Sequence, residues 1–124
     1  MGAKKKPDNI PADKLALYDK LIKTNPTIER KGATVPYTSV NGNMFTLFSP
    51  NGLVGIRLPK DQRDAFLARY KTTLYETYGA TMKEYVAVPD ELLQKTSELR
   101  KYLDLSYEYA KSLKPKPTSK KKTS

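Results

Sequence analysis

The chain has no cysteine and no histidine among its 124 residues. Without cysteine there is no disulfide and no thiolate nucleophile, and a reducing compartment is the expected setting. Without histidine the commonest general base is missing, and the two absences together remove the usual zinc ligands. Most enzyme classes are thereby disfavoured, and neither a cofactor nor a metal is expected. Long apolar runs are also lacking: nothing approaches the roughly 20 residues of a membrane-spanning helix. The opening stretch MGAKKKPDNIP is basic but has no hydrophobic segment behind it, so it does not read as a secretion signal. A cytoplasmic protein without membrane association is expected. Gly2 would suit myristoylation, but that motif asks for Ser or Thr where Lys6 stands. Gly42, Gly52 and Gly55 do not fall at the spacings of phosphate- or dinucleotide-binding loops, and no segment repeats at a solenoid period.

Acidic residues are in short supply: 13 stand against 23 Lys and Arg, for a net charge of +10. The excess is local. Lys4, Lys5 and Lys6 near the start, with Lys114, Lys116, Lys120, Lys121 and Lys122 near the end, contribute eight positive charges. The remaining 15 bases (23 minus 8) face 13 acids, so the body between the tails carries only +2. Such tails make salt-sensitive, sequence-independent contacts to phosphates, which makes non-specific nucleic acid a candidate partner, and their plainer use is solubility. The close acid pairs, Asp61 with Asp64 and Asp90 with Glu91, fall at expected helix starts, where the helix dipole favours them without any ligand. Lys83 beside Glu84 is read as a solvated charge pair rather than an acid–base couple.

Periodicity sets out the elements. Leu15, Tyr18, Leu21 and Ile22 give one stripe on a helix over residues 11–23. TIERK (27–31) and TVPYTSV (34–40) read as short strands, the second at a sheet edge or with a bulge because Pro36 cannot donate to a ladder. Strands follow over 44–48 and 53–58, with Asn41-Gly42 and Asn51-Gly52 as hairpin turns. KDQRDAFLARYK (60–71) reads as a second helix, TTLYETYGAT as a less regular stretch, and MKEYVAV (82–88) as a fifth strand with Met82, Val86 and Val88 on one face. Pro89-Asp90-Glu91 opens a long last helix reaching about Lys114. One domain over 9–114 is expected, flanked by basic tails at 1–8 and 115–124.

The strand NMFTLF poses a problem. Strict alternation sends Asn43, Phe45 and Leu47 one way and Met44, Thr46 and Phe48 the other, so both faces are apolar and both need cover. The nine tyrosines belong to the same question. Tyr18, Tyr70, Tyr102 and Tyr109 share the helical stripes of the leucines, which favours core or interface over a track for stacking bases. Tyr37, Phe45, Leu47 and Tyr85 are the expected interface residues.

These stretches together carry a resemblance. ERK (29–31), VNGNMF (40–45), LVGIRLP (53–59), MKEYVAVP (82–89) and the final YAKSLKPKP resemble, in order and spacing, the N-terminal domain of the TfoX/Sxy proteins. The positions that match the family's motifs are Arg30, Lys31, Asn41, Gly42, Phe45, Arg57, Met82 and Lys83. Where the family has a Met-Phe-Gly-Gly-like segment, this chain has KGATVPYT. The resemblance implies an α+β fold of the secretion-chaperone-like type: one antiparallel sheet of about five strands with three helices, in the order helix, three to four strands, helix, strand, long helix. Stand-alone members of the family are bacterial; together with the missing histidine and cysteine and the apolar second face of NMFTLF, a non-enzymatic bacterial interaction or regulatory module is expected, with a second copy or another protein as its partner. Longer members of the family regulate competence genes and carry a further C-terminal domain.

Overall fold

The computed structural model describes residues 12–32, 36–49, 52–77 and 80–114. Helix α1 (Ala12–Lys23) buries Tyr18, Leu21 and Ile22, with Asp13 in its first turn and Lys20 and Lys23 in its last, as the helix dipole favours. Strands β1 (Tyr37–Val40), β2 (Asn43–Phe48) and β3 (Val54–Arg57) form a meander. The β1–β2 connection is two residues long with φ of 53° at Asn41 and 79° at Gly42, the left-handed pair that a tight hairpin requires. Helix α2 (Lys60–Tyr70) follows, then β4 (Leu74–Thr77) and β5 (Ala80–Val88), the one-turn helix α3 (Asp90–Leu93) and the 17-residue α4 (Thr96–Ser112).

The sheet order is β1-β2-β3-β5-β4 and every neighbouring pair is antiparallel. The chain therefore leaves β3, crosses over through α2 to the far edge as β4, and returns as β5 into the gap between them. The fold is α+β with a five-stranded antiparallel sheet, as expected. No helix of the described residues is long and apolar enough to cross a membrane.

One face of the sheet carries Phe48, Val54, Ile56, Val86 and Val88, which pack on Tyr18 and Leu21 of α1, Phe66 of α2, and Leu99 and Leu103 of α4. Most of these are fully buried. A side chain of this size contributes about 1.5–3 kcal/mol on burial, so this layer is what holds the helices to the sheet. Three buried hydroxyls run through it. Tyr18 Oη lies 2.7 Å from Thr46 Oγ1, which lies 2.6 Å from Thr38 Oγ1, so each satisfies the next and α1 is keyed to β2 and β1. At the other end Phe66, Tyr70 and Tyr102 stack with centroids 4.7–5.8 Å apart, and Tyr70 donates its hydroxyl to the Glu98 carboxylate.

Three expected elements differ. TIERK is not a strand: it contributes one bridge, in which Lys31 exchanges main-chain hydrogen bonds with Tyr37 on the outer side of β1. The count of five is made up instead by β4, LYET, inside the stretch read as irregular, while the expected MKEYVAV strand is observed as β5. The long last helix breaks at Gln94–Lys95, where Lys95 leaves helical geometry (φ −104°, ψ 69°). The break frees α3 to turn Leu92 and Leu93 into the core independently of the direction of α4, whose Leu99 and Leu103 stripe follows. Of the expected tail lysines, Lys4, Lys5, Lys6, Lys116, Lys120, Lys121 and Lys122 lie outside the described residues, as do residues 34–35 and Asn51. Lys114 is described, and exposed.

Candidate functional site

The apolar second face of β2 is set by a β-bulge. Thr38 pairs with Thr46 but Ser39 pairs with Met44, so Phe45 is an extra residue in the ladder. An extra residue resets the alternation. Phe45 turns with Thr46 and Phe48 to the helix side, where it is fully buried and meets the Tyr107 ring edge-on at 5.7 Å. Met44 and Leu47 are left together on the opposite face. This corrects the reading by alternation: Phe45 is core and not interface. A larger irregularity acts on β5, where Leu74 pairs with Val86 but Tyr75 pairs with Met82, leaving Lys83, Glu84 and Tyr85 without β4 partners. Three extra residues, an odd number, put Met82 on the face opposite Val86 and Val88, the second correction to the period-2 reading.

The second face is thus a defined surface. Met44, Leu47, Leu53 and Met82 lie half-buried around Tyr75, Tyr85 and Ala87. Tyr37 stands opposite Leu47 in register and joins them at the edge. The Tyr75 ring lies flat on Gly55: a Cβ there would stand 2.8 Å from the ring carbons. Gly55 pairs with Ala87 across the β3–β5 ladder, so two small residues form the trough that the ring fills, and its hydroxyl donates to the Leu53 carbonyl at 3.1 Å. Tyr85 donates to the Met44 carbonyl at 2.7 Å, beside the bulge, and Arg57 donates Nη1 to the same oxygen at 3.2 Å. Burial pushes the Tyr85 hydroxyl up to about 12, against the smaller pull of the Arg57 charge. Arg57 Nε binds Glu84 at 2.7 Å, and its guanidinium lies 5.9 Å from the centre of the Tyr85 ring and 5.7 Å from that of Tyr109 on α4. It ties the second face to the helical layer around the end of β3.

Among the described residues no helix packs on this face, since all four share the core on the other side. Nor does charge discourage contact with its meander half. From Gly32 to Ile56 the sequence has no charged residue.

The remaining expected positions do not converge on one site. Arg30 is ion-paired with Asp19 at 2.6 Å, and that carboxylate oxygen is enclosed without a well-directed hydrogen bond. A cleft of about 530 Å³ opens beside this pair, floored by Ile22 and Ile28 and rimmed by Lys23. Lys31 binds Ser39 Oγ at 3.0 Å, and Asn41 and Gly42 make the hairpin turn. Lys83 is exposed, while Glu84 is held by Arg57. Asp64 is paired with Lys60 at 2.8 Å, a hydrogen bond that holds its carboxyl below its ordinary range, and Asp90 is paired with Lys14. No three acidic side chains gather where a metal ion could be held among the described residues.

Of the expected interface residues Tyr37, Leu47 and Tyr85 fall on this face, while Met44, Leu53, Met82, Tyr75, Gly55 and Ala87 were not among them. The available signal was a glycine inside a strand, which marks a close approach of another group. No protein-family model matches the chain, and comparison with curated proteins finds none that matches it.

Proposed function

We propose that this chain is a non-enzymatic cytoplasmic interaction module, a regulator of the kind that the resemblance to the TfoX N-terminal domain implies, and that it works by pairing with a second copy of itself through the sheet face opposite the helices. The observation that carries this reading is the half-buried group Met44, Leu47, Leu53 and Met82 on a face that no described helix covers, next to a meander with no charge to repel a like surface. Pairing is face to face and not by strand addition. The outer side of β1 is blunted where Lys31 exchanges hydrogen bonds with Tyr37, at 2.8 and 3.0 Å, and lays its ammonium on Ser39. A two-fold axis near Leu47 would bring each Leu47–Tyr37 pair onto its counterpart.

Light scattering on the full chain tests this. A dimer is expected, and Leu47→Lys is expected to give a folded monomer, because the side chain is only half-buried and its lysine can reach water once the partner is gone. A wild-type monomer at high micromolar concentration, or a Leu47→Lys dimer as tight as wild type, sinks the reading.

A further inference from the structure

We propose that the cleft between the end of α1 and the segment that follows it binds a small-molecule carboxylate with an apolar body, the carboxylate held by Arg30 and Lys23 and the body lying on Ile22 and Ile28. The walls are fixed by the fold. After α1 the chain turns back on itself: Thr24 and Asn25 donate their amides to the Leu21 and Ile22 carbonyls at 3.0 and 3.2 Å, and Ile28 donates to the Asn25 carbonyl at 3.0 Å. The Asn25 side chain pins this turn on two sides, accepting from the Thr27 amide at 3.0 Å and donating to Asp104 on α4 at 3.0 Å. The floor is equally firm, since Ile22 and Ile28 belong to the core and are 3 % and 8 % exposed. A cleft of about 530 Å³ with an apolar floor and a few polar groups at its rim has the size and make-up of a small-molecule site.

The charges select the ligand. One carboxylate, Asp19, and two cations, Lys23 and Arg30, line the cleft, so a ligand with a single negative charge brings the set to neutrality. Lys20 and Lys23 in the last turn of α1 offset the negative end of its dipole, which would otherwise oppose an anion. Arg30 is underused as a donor. A guanidinium has five N–H donors, and Arg30 places one of them on the Gly32 carbonyl, at 3.4 Å. Its Nε lies 2.6 Å from Asp19 Oδ1, yet that oxygen accepts no well-directed hydrogen bond, so the pair is held by charge and the fork keeps donors for another acceptor. The Arg30 side chain is 35 % exposed and Lys23 is exposed at the rim, so both can reach a ligand in the cleft. A planar fork matches a carboxylate through two parallel hydrogen bonds. The floor offers nothing to a bare inorganic anion, whereas an alkyl or aryl body on the carboxylate covers Ile22 and Ile28. None of Met44, Leu47, Leu53 and Met82 lines this cleft, so the inference does not depend on pairing through the sheet face.

The test is a titration followed by amide NMR spectra of the isotope-labelled full chain. Hexanoate is expected to shift the amides of Ile22, Lys23, Asn25, Ile28 and Arg30. Along the series acetate, butanoate and hexanoate, affinity should rise by about fourfold for each methylene that reaches the floor. Hexylamine, with the same body and the opposite charge, should leave these amides unmoved. Lys23→Gln, a change on the exposed rim, should weaken hexanoate binding by up to about fivefold, and Arg30→Gln by about tenfold or more. Because Arg30→Gln leaves Asp19 without its partner, the double variant Asp19→Asn/Arg30→Gln is run beside it and should bind as weakly with the fold intact. The proposal is overturned if hexanoate leaves these amides unmoved or moves those of Met44, Leu47 and Met82 instead, if acetate or hexylamine binds as tightly as hexanoate, or if the double variant binds like wild type. It is overturned equally if a short peptide with a free terminal carboxylate shifts these amides and hexanoate does not, since the ligand is then a protein terminus.

Discussion

Gly55 shows how much one missing methyl group decides. With Tyr75 lying on it at a distance no Cβ tolerates, Gly55→Ala must push a fully buried ring out of its trough or bend β3. The expected cost is about 1–3 kcal/mol by urea unfolding, in the range of other overpacked cores. The same substitution in a Tyr75→Ala background should cost far less, and an equal cost in both backgrounds shows that the ring is not the cause. Tyr85, a strand away, makes a pH argument. Its hydroxyl ionises at about 12 in the folded chain and near 10 in the unfolded one, because burial disfavours the phenolate. A value raised by folding means stability that is complete below pH 10 and lost as the pH climbs from 10 to 12. Tyr18 is shifted in the same direction, again by burial. Phenolate absorbance and circular dichroism should therefore change together above pH 10. Early ionisation of these tyrosines with the fold intact contradicts the burial described.

The Tyr18–Thr46–Thr38 hydroxyls lock three elements together, and their contribution is asymmetric. Thr46→Val leaves the other two hydroxyls buried and unpaired, at about 1–3 kcal/mol for each. Replacing all three by Phe, Val and Val removes the unpaired groups and is expected to recover much of that loss. A triple variant no more stable than Thr46→Val refutes the relay. Helix α2 is held to α4 by the Tyr70–Glu98 contact, which keeps the Glu98 carboxyl below its ordinary range. A value depressed by folding gives stability that is present above the ordinary carboxylate range and lost as the pH falls through the folded value. Tyr70→Phe should flatten that acid limb of the stability–pH curve, and an unchanged limb assigns it to other carboxylates. α1, α2 and the Asn41-Gly42 hairpin were legible in the sequence because apolar spacing and turn chemistry are local signals. β4 was not, since LYET shows no alternation and becomes a strand only by pairing with β5. The bulge at Phe45 and the slip at Lys83–Tyr85 were equally hidden. Neighbouring strands decide such irregularities, and a period-2 reading carries nothing across them. The second face was anticipated as a surface but misassigned by one residue in β2 for that reason, with Leu47 on it and Phe45 off it.

At the scale of the molecule, the two faces of the sheet are built by different means. One is sealed by helices; the other is closed in part by Tyr75 lying on Gly55, with Tyr85 and Ala87 beside it, and is left half-open along β1 and β2. If that half pairs with a second copy, apparent stability rises with protein concentration, and the unfolding midpoint of wild type should shift with dilution while that of Leu47→Lys does not. The strand order has a separate consequence for how the chain folds during synthesis. β3 ends at Arg57, yet the strand that completes its ladder does not begin until Ala80, because β5 enters last between β3 and β4. Until then the growing chain holds a three-stranded meander, uncharged except for Arg57 at the end of β3, with an unpaired inner edge. Along Val54, Gly55 and Ile56 that edge lacks the charge or proline with which exposed edges are usually guarded, and Arg57 guards only its end. Nascent chains that meet in this interval can pair edge to edge, so the yield of folded protein is set by how fast α2, β4 and β5 follow.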